Sequence, residues 1–412
     1  MRVRGRVGPW AEVLQTQVCV AGGGPAGLVH ALLLARAGIR VVVLEKHNDF
    51  LRDFRGDTVH PSTLRIMDEL GLVDELLRLP HTKVDRVAFD TDGTIRTFGN
   101  FGVLKRLGFK QPYIALMPQW DFLDFLAEKA SAYPEFTLIR NAEVKDLIFD
   151  GDRVIGARTP EVEVRADLVV GADGRKSAVR AAAGLRTAAA HSPMDVLWFR
   201  LNWRPGDPQE LYGVARRGLT MALIYRGDYW QIAYLMPKGS DPRDGSLEAF
   251  KERIVAARPQ LREHVDDLRS WDQTSQLDVR VDRLETWWRT GLLCIGDAAH
   301  AMSPIGGVGI NLAVADAVAA ANILCAPLRD GRLRDADLAK VQRRRELPAR
   351  VIQAIQVFAQ DRVIAPNLNG GDLSPIPIPA IVGRGPLRSI PPIAFGRGLR
   401  PEHVRTPNVH TA

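Results

Sequence analysis

Read as a pattern of apolar and polar positions, the organised part of the chain opens on QVCVAG at residues 17–22, an apolar run of strand length. A helical stretch over 25–37 and a second apolar run, RVVVLE at 40–45, complete one βαβ unit, which opens a parallel sheet. Helical spacing returns near 61–79 and 119–132. Short strand-like runs near 84–98, 136–149, 153–165 and 167–170 feed back toward the same sheet. From about 190 to 236 the text changes to alternating segments bearing Trp and Tyr, such as VLWFRLNW, LTMALIY and YWQIAYLMP, with no helical period between them. This predicts a second, mostly antiparallel domain that continues to about 285. The strand LLCIG at 292–296 and the helical run 308–324 then return to the first domain, so the two are interleaved. A helix over 333–360, with Pro348 as its expected kink, precedes a proline- and glycine-rich tail that predicts irregular chain.

Composition narrows the class. With 412 residues, 46% hydrophobic and 25% charged, the chain is long enough for two to three globular domains and is neither fibrous nor wholly disordered. The surplus of 55 basic over 48 acidic residues, +7, fits an anionic cofactor as well as other anions. No basic stretch is interleaved with aromatics, and Arg343, Arg344 and Arg345 read as a solvated helix face, so no nucleic-acid partner is expected. Three widely spaced cysteines, Cys19, Cys294 and Cys325, read as buried reduced thiols and a cytoplasmic protein. His60, His191 and His300 lack metal-ligand spacing, and no metal is expected. The apolar run from Val18 is broken by Gly22, Gly23, Gly24, Pro25 and Gly27, and the run Gly306–Leu328 holds Asn311, Asp316 and Asn322. No export or transmembrane segment is predicted.

The chemistry concentrates in three turns. Gly22-x-Gly24-x-x-Gly27 follows a strand, opens a helix, and is followed eighteen residues later by Glu45 at the end of the next strand. The first glycine permits the tight turn, Gly24 lets the backbone approach a pyrophosphate, and Gly27 lets helix and strand pack closely; Glu45 can accept hydrogen bonds from a ribose diol. The plain alternative is a glycine-rich turn without ligand. Far along the chain stand Asp167-Leu-Val-Val-Gly171-Ala-Asp173-Gly174-Arg175-Lys-Ser177-x-Val-Arg180 and Gly291-Leu-Leu-Cys-Ile-Gly296-Asp297-Ala-Ala-His300. The second continues into Pro304-x-x-Gly307-x-Gly309-x-Asn311 and Asp316.

These segments resemble the Asp-Gly motif, the Gly-Asp motif and the flavin loop of single-component FAD-dependent aromatic hydroxylases, the group of 4-hydroxybenzoate, salicylate and phenol hydroxylases. The resemblance covers roughly residues 17–325 and is specific in the three segments. It implies an α/β fold: a Rossmann-like FAD-binding domain with a parallel sheet (1–80, 100–190 and 286–330), an interleaved, mostly antiparallel β-sheet substrate domain (81–99 and 191–285), and a C-terminal helix with a Pro-rich tail (331–412). Asp297, after an apolar strand, can accept from the ribityl hydroxyls of the flavin; its bland reading is a helix N-cap. The loop from Pro304 to Gly309 has too little side-chain bulk to cover a flat ring, and the helix beginning near Gly309 aims its N-terminal dipole at the ring edge where charge collects on reduction. Arg55 fits the family's phosphate- or ribose-reaching arginine, against a solvated surface arginine. Gln119 stands where relatives often carry arginine, and Asp173 holds the Asp-Gly turn. The resemblance also implies cofactor contacts at Pro25, Ala26, Lys46, Val144, Gly296, Val308 and Ile310.

The implied activity uses NAD(P)H and O2 to hydroxylate an aromatic or polyketide-like small molecule through a flavin C4a-hydroperoxide, NAD(P)H binding only transiently because no second glycine fingerprint is visible. His60, Tyr225, Tyr229 and Pro304 are the catalytic candidates, with Arg226 and Trp230 beside the tyrosines on the expected pocket wall. The bland readings are ordinary core for the aromatics and a helix-cap role for His60. Two other functions stay open: an FAD-dependent reductase similar to the geranylgeranyl reductases, and a flavin-binding protein without turnover. A monomer or homodimer is expected.

Overall fold

In the computed structural model, residues 5–6, 12–50, 57–90, 94–370, 373, 389 and 392–410 are described. The apolar runs become the parallel core of a nine-stranded mixed sheet. Its parallel strands lie in the spatial order Phe136–Ile139, Val41–Leu44, Glu12–Ala21, Val162–Gly171 and Leu292–Cys294. Val18, Cys19, Val20, Leu168, Val169 and Val170 are fully buried, as the near-continuous apolar runs of interior parallel strands require. The antiparallel hairpin Asp146–Asp150 and Arg153–Arg158 extends one edge.

Register does the work of assembly. Gly171 pairs with both Ala21 and Cys294, Ala21 pairs with Leu44, and Leu44 with Ile139. Five strand ends, spread from Ala21 to Cys294 along the chain, therefore stop at one level, and the turns that follow them emerge side by side. The chain order reverses between Glu12–Ala21 and Val162–Gly171, which opens a crevice at the carboxyl ends of the strands, the usual ligand position in such sheets.

The helix Pro25–Arg36 starts directly after the glycine turn and buries ten of its twelve residues, so it is an internal helix rather than a surface one. It packs between Gln119–Ser131 and Gly309–Arg329. Each leucine it hides fully contributes on the order of 1.5–3 kcal/mol relative to exposure. The helix Gly309–Arg329 is apolar and long enough to cross a membrane, but it serves here as a core element, its Val314, Ala317, Val318 and Ala321 all buried.

A second, seven-stranded sheet runs Ser275–Leu277, Met194–Asn202, Tyr229–Pro237, Leu219–Tyr225, Leu211–Arg216, Arg86–Asp90, Ile95–Asn100, antiparallel except where Leu211–Arg216 meets Arg86–Asp90. Its outer face carries Phe199, Leu223, Trp230, Ile232 and Tyr234 under the helix Leu247–Ala257. Its inner face, with Trp198 and Ile224, packs toward Phe101, Leu104 and Ile114. Asp335–Ala359 is one helix with Pro348 inside it. The residues from 392 onward return to the first domain, where Phe395 lies against Gly306.

Candidate active site

The aligned strand ends enclose a cleft of about 340 Å3. Of the residues singled out from sequence, Gly22, Gly24, Pro25, Ala26, Glu45 and Lys46 line it from the first βαβ unit. Gln119, Val144, Asp173, Asp297, Gly309 and Ile310 line it from elsewhere in the chain. Gly27 lies just behind: a Cβ there would run into the Gly22 carbonyl and sit 3.2 Å from Val20 Cγ1, so its role is close packing of helix on strand. Glu45 Oε2 accepts from the Gly23 N–H at 2.8 Å and Oε1 from the His47 N–H at 3.0 Å, which holds the carboxylate at the cleft edge.

Opposite, Asp173 Oδ2 accepts from the Val179 N–H at 3.1 Å while Oδ1 is buried without a partner. Burial pushes its carboxyl above the usual range, against hydrogen bonds from Ser177 and nearby backbone. Arg175 Nε donates to Asp297 at 3.1 Å, so the Asp-Gly and Gly-Asp motifs touch, and Arg175 Nη1 is a further buried donor with no partner. A glycine cradle, a helix N-terminus with no side-chain cap, an acid at the ribose position and buried orphan donor and acceptor atoms form the donor set a dinucleotide requires. The residues present fit FAD.

Five of the sequence-derived positions, Gly296, Pro304, Gly307, Val308 and Asn311, stand beside the cleft rather than on it. Gly307 and Asn311 form a clamp: the Gly307 carbonyl accepts from Thr58 Oγ1 at 2.6 Å and from Asn311 Nδ2 at 3.2 Å, while Asn311 Oδ1 accepts from the His60 N–H and from Thr63 Oγ1. Pro304 caps the short turn Ile305–Gly307. Val308, with Asn311, borders a small cavity of about 40 Å3 beneath the C-terminal segment. Gly296 is buried at the base of the Gly-Asp turn, and Arg55 lies outside the described residues.

The catalytic candidates divide. Tyr225 and Trp230 are a cross-strand pair and so share a face, and that face is the outer one: Tyr225 lies on Trp203 at 5.6 Å and the Trp230 indole donates to the Pro208 carbonyl. Their expected place on the pocket wall is corrected by the strand alternation. Tyr229 takes the inner face, its ring 4.5 Å from the Arg200 guanidinium. His60 does not line the cleft; its Nδ1–H donates to the Phe395 carbonyl at 3.0 Å and its Nε2 is buried without a partner.

Sequence reasoning missed Asp57. Arg226 donates to Asp57 and to Gln231 Oε1, with the pair only 6% and 10% exposed at their side chains. Arg226 Nη1, Asp57 Oδ1 and Trp198 Nε1 are buried without partners on this inner face. Burial pushes the Asp57 carboxyl up, opposed by Arg226 and by the Gln119 N–H, and burial likewise pushes Arg226 down, opposed by Asp57. Asp57 joins the two halves of the site: its neighbour Thr58 holds Gly307, and Gln119 lines the cleft.

The comparisons agree with this geometry. Residues 15–354 match the family described as FAD binding domain. The chain belongs to this family of FAD-dependent monooxygenases. The flavoprotein is 36% identical over 360 residues to 6-methylpretetramide 4-monooxygenase of Streptomyces rimosus, covering 85% of each chain. It is 26% identical over 341 residues to protoasukamycin 4-monooxygenase of Streptomyces nodosus subsp. asukaensis, covering 77% of this chain and 81% of the other. Among solved structures, OxyS anhydrotetracycline hydroxylase from Streptomyces rimosus superposes with a TM-score of 0.68 at 26% identity, over 86% of this chain and 70% of that one. PqsL of Pseudomonas aeruginosa in complex with 2-aminobenzoylacetate gives 0.74 at 22% identity, over 86% and 99%, and supports the fold.

Two buried imidazoles of the flavoprotein give it an acid-sensitive fold. Burial pushes His60 down to about 4, partly opposed by the Phe395 carbonyl, and pushes His30 down to about 4, partly opposed by the Ala317 carbonyl. Both are neutral when folded, whereas the unfolded chain takes up protons below about 6.5. Their contribution is therefore complete above that pH and is lost as pH falls toward 4, on the order of 3 kcal/mol for each. Urea unfolding at a series of pH values between 7 and 4 is expected to show this decline, and His30→Gln to flatten about half of the histidine-dependent part.

Proposed function

We propose that the chain hydroxylates a polycyclic aromatic, polyketide-like small molecule, with NAD(P)H as transient reductant and O2 as co-substrate, in the cytoplasm, where its three buried free cysteines stay reduced. The observation that carries the reading is the pairing of an FAD-type cleft with the adjoining inner sheet face, where a buried donor and a buried acceptor, Arg226 Nη1 and Asp57 Oδ1, stand side by side without partners. Bound FAD supplies the electron transfer and oxygen activation.

The chain's own residues supply binding, charge and exclusion of water. Glu45 and Asp297 offer carboxylates to sugar hydroxyls, and Gly24 with the first turn of Pro25–Arg36 beyond the proline offers backbone N–H groups to the pyrophosphate, the Gly22 and Gly23 N–H groups being taken by Leu44 and Glu45. The Arg226 guanidinium favours the ionised form of a phenol or enol placed against Nη1, which raises the electron density of its ring, while Asp57 Oδ1 accepts from an adjacent hydroxyl or amide. An enolised carbonyl or carboxamide beside a phenol presents this acceptor and donor pair, and the relative acting on 6-methylpretetramide supports that class. Tyr229 and the Trp198 indole nitrogen on the inner face would meet a flat ring placed against Arg226, and Phe395 lies against the loop at Gly306.

The test is NADH and NADPH oxidation by the FAD-loaded protein with polycyclic phenols under 18O2. Incorporation of one labelled oxygen into product is the expected outcome. Hydride consumption that yields only peroxide with every aromatic would overturn hydroxylation, and turnover without oxygen would move the chain to the reductases.

A further inference from the structure

The loop that presents Asp297 to the cleft is held from behind by a chain of buried charges that starts at Asp316 of the flavin-loop motif and runs on to residues outside every cofactor motif. Gly296, where the strand Leu292–Cys294 turns into that loop, donates its N–H to Asp316 Oδ2 at 3.1 Å. His300, at the other end of the loop, donates Nε2–H to the same oxygen at 2.6 Å. Asp316 is 1% exposed, and its second oxygen accepts from Arg345 Nε at 2.9 Å. Burial pushes the Asp316 carboxyl up, but His300 and Arg345 more than offset it and keep the group ionised.

Arg345 is itself buried, and its Nη1 reaches Glu402 Oε1 at 3.3 Å and the Arg400 carbonyl at 3.1 Å. Arg344 Nε donates to the same Glu402 oxygen at 2.7 Å. The sequence of contacts is thus loop, Asp316, Arg345, tail. Two carboxylates and two guanidiniums balance; without the Glu402 charge, Arg345 loses one of the two carboxylates that fix its direction, and Asp316 loses a rigid donor. Beyond Glu402 the tail has separate anchors. Glu69 accepts from His403 Nδ1 and from the Val404 N–H, and Asn322 bridges His403 and Arg405.

We propose that Glu402 is a positioning residue for the cofactor: through Arg345 and Asp316 it fixes the Gly296–His300 loop, so that docking of the C-terminal tail and binding of FAD strengthen each other. The proposal rests on the FAD site described above. Coupling of this kind is reciprocal, which gives two independent readouts.

The first is titration of FAD into apoprotein, followed by quenching of flavin fluorescence, for the wild type, Glu402→Gln and Glu69→Gln. Glu402→Gln is expected to raise the FAD Kd about tenfold, while Glu69→Gln, which frees only the chain beyond Glu402 and leaves Glu402 on Arg344 and Arg345, stays within about twofold. The second uses the wild type alone: FAD is expected to slow hydrogen exchange of the backbone amides over 399–406. A Glu402→Gln Kd within about twofold of wild type, or equal weakening by both substitutions, overturns the proposal. So does tail exchange that is indifferent to FAD, and that measurement decides alone if Glu402→Gln fails to fold. Wild-type apoprotein that does not bind FAD overturns the site itself and the proposal with it, whereas intact wild-type binding confines a failure to the relay.

Discussion

Gly22→Ala is expected to purify without flavin and with lowered stability, whereas Gly24→Ala folds normally and fails only to bind FAD. Gly22 sits at φ +103°, where an L side chain is strained, and its added Cβ would lie 2.7 Å from the Ala172 carbonyl carbon and 2.9 Å from Asp173 Cα. These are backbone atoms of the next strand's turn and cannot rotate away. Ala172 donates to the Ala21 carbonyl and Gly22 to the Leu44 carbonyl, each at 2.8 Å, so a shift at Gly22 is passed to the three strand ends these bonds join. Left-handed strain and overpacking cost about 1–3 kcal/mol each. A Cβ on Gly24 meets nothing nearer than the Ala172 carbonyl oxygen at 4.0 Å, and the residue lines the cleft. There the methyl group occupies space on the cofactor side alone. Thermal melts of the two apoproteins with FAD titration separate the cases: a lowered melting temperature and lost binding for the first, an unchanged melting temperature and an FAD Kd raised at least about tenfold for the second. Normal FAD binding by both would remove the pyrophosphate from this turn.

The contrast between these neighbours shows what was legible in the sequence. The βαβ spacing and the glycine–acid turns have local causes, a buried strand that must end and a helix that must begin, and so they can be read from the text. Their convergence also follows from it, because strands of one parallel sheet share a level at their carboxyl ends. Side-chain direction in the second domain was less accessible. Tyr225 and Tyr229 lie on opposite faces because the hairpin register pairs Tyr225 with Trp230, and the length and geometry of the turn set that parity. Asp57 carries no local signal, since its partner Arg226 is 169 residues away and only the tertiary fold joins them. The contacts of Phe395 and Glu402 lie in text with no period at all, where burial comes from the surface they cover rather than from their own spacing.

Arg226→Met is expected to cost about 3–5 kcal/mol of stability and to abolish coupled hydroxylation, for two separable reasons. The first is the uncompensated Asp57. Its carboxyl is already pushed up by burial, and removing the guanidinium takes away the main charge that opposes this, so the buried acid keeps only the weaker influence of Arg200. The second is loss of the unpartnered Nη1 donor from the inner sheet face, where the proposed function puts the substrate. A double variant, Asp57→Asn with Arg226→Met, removes both charges while the asparagine oxygen can still accept from the Gln119 N–H. It is expected to regain most of the stability, because a buried ion pair replaced on both sides is nearly neutral in energy. Activity should not follow. Without a cation against the phenol or enol the ring loses electron density, so NAD(P)H is still consumed but the ratio of hydroxylated product to hydride falls by at least about tenfold. Urea midpoints and product-to-hydride ratios measured on the same three FAD-loaded proteins decide the matter. Recovery of both in the double variant would make the pair a structural tie between the domains. Recovery of stability alone places it against the substrate.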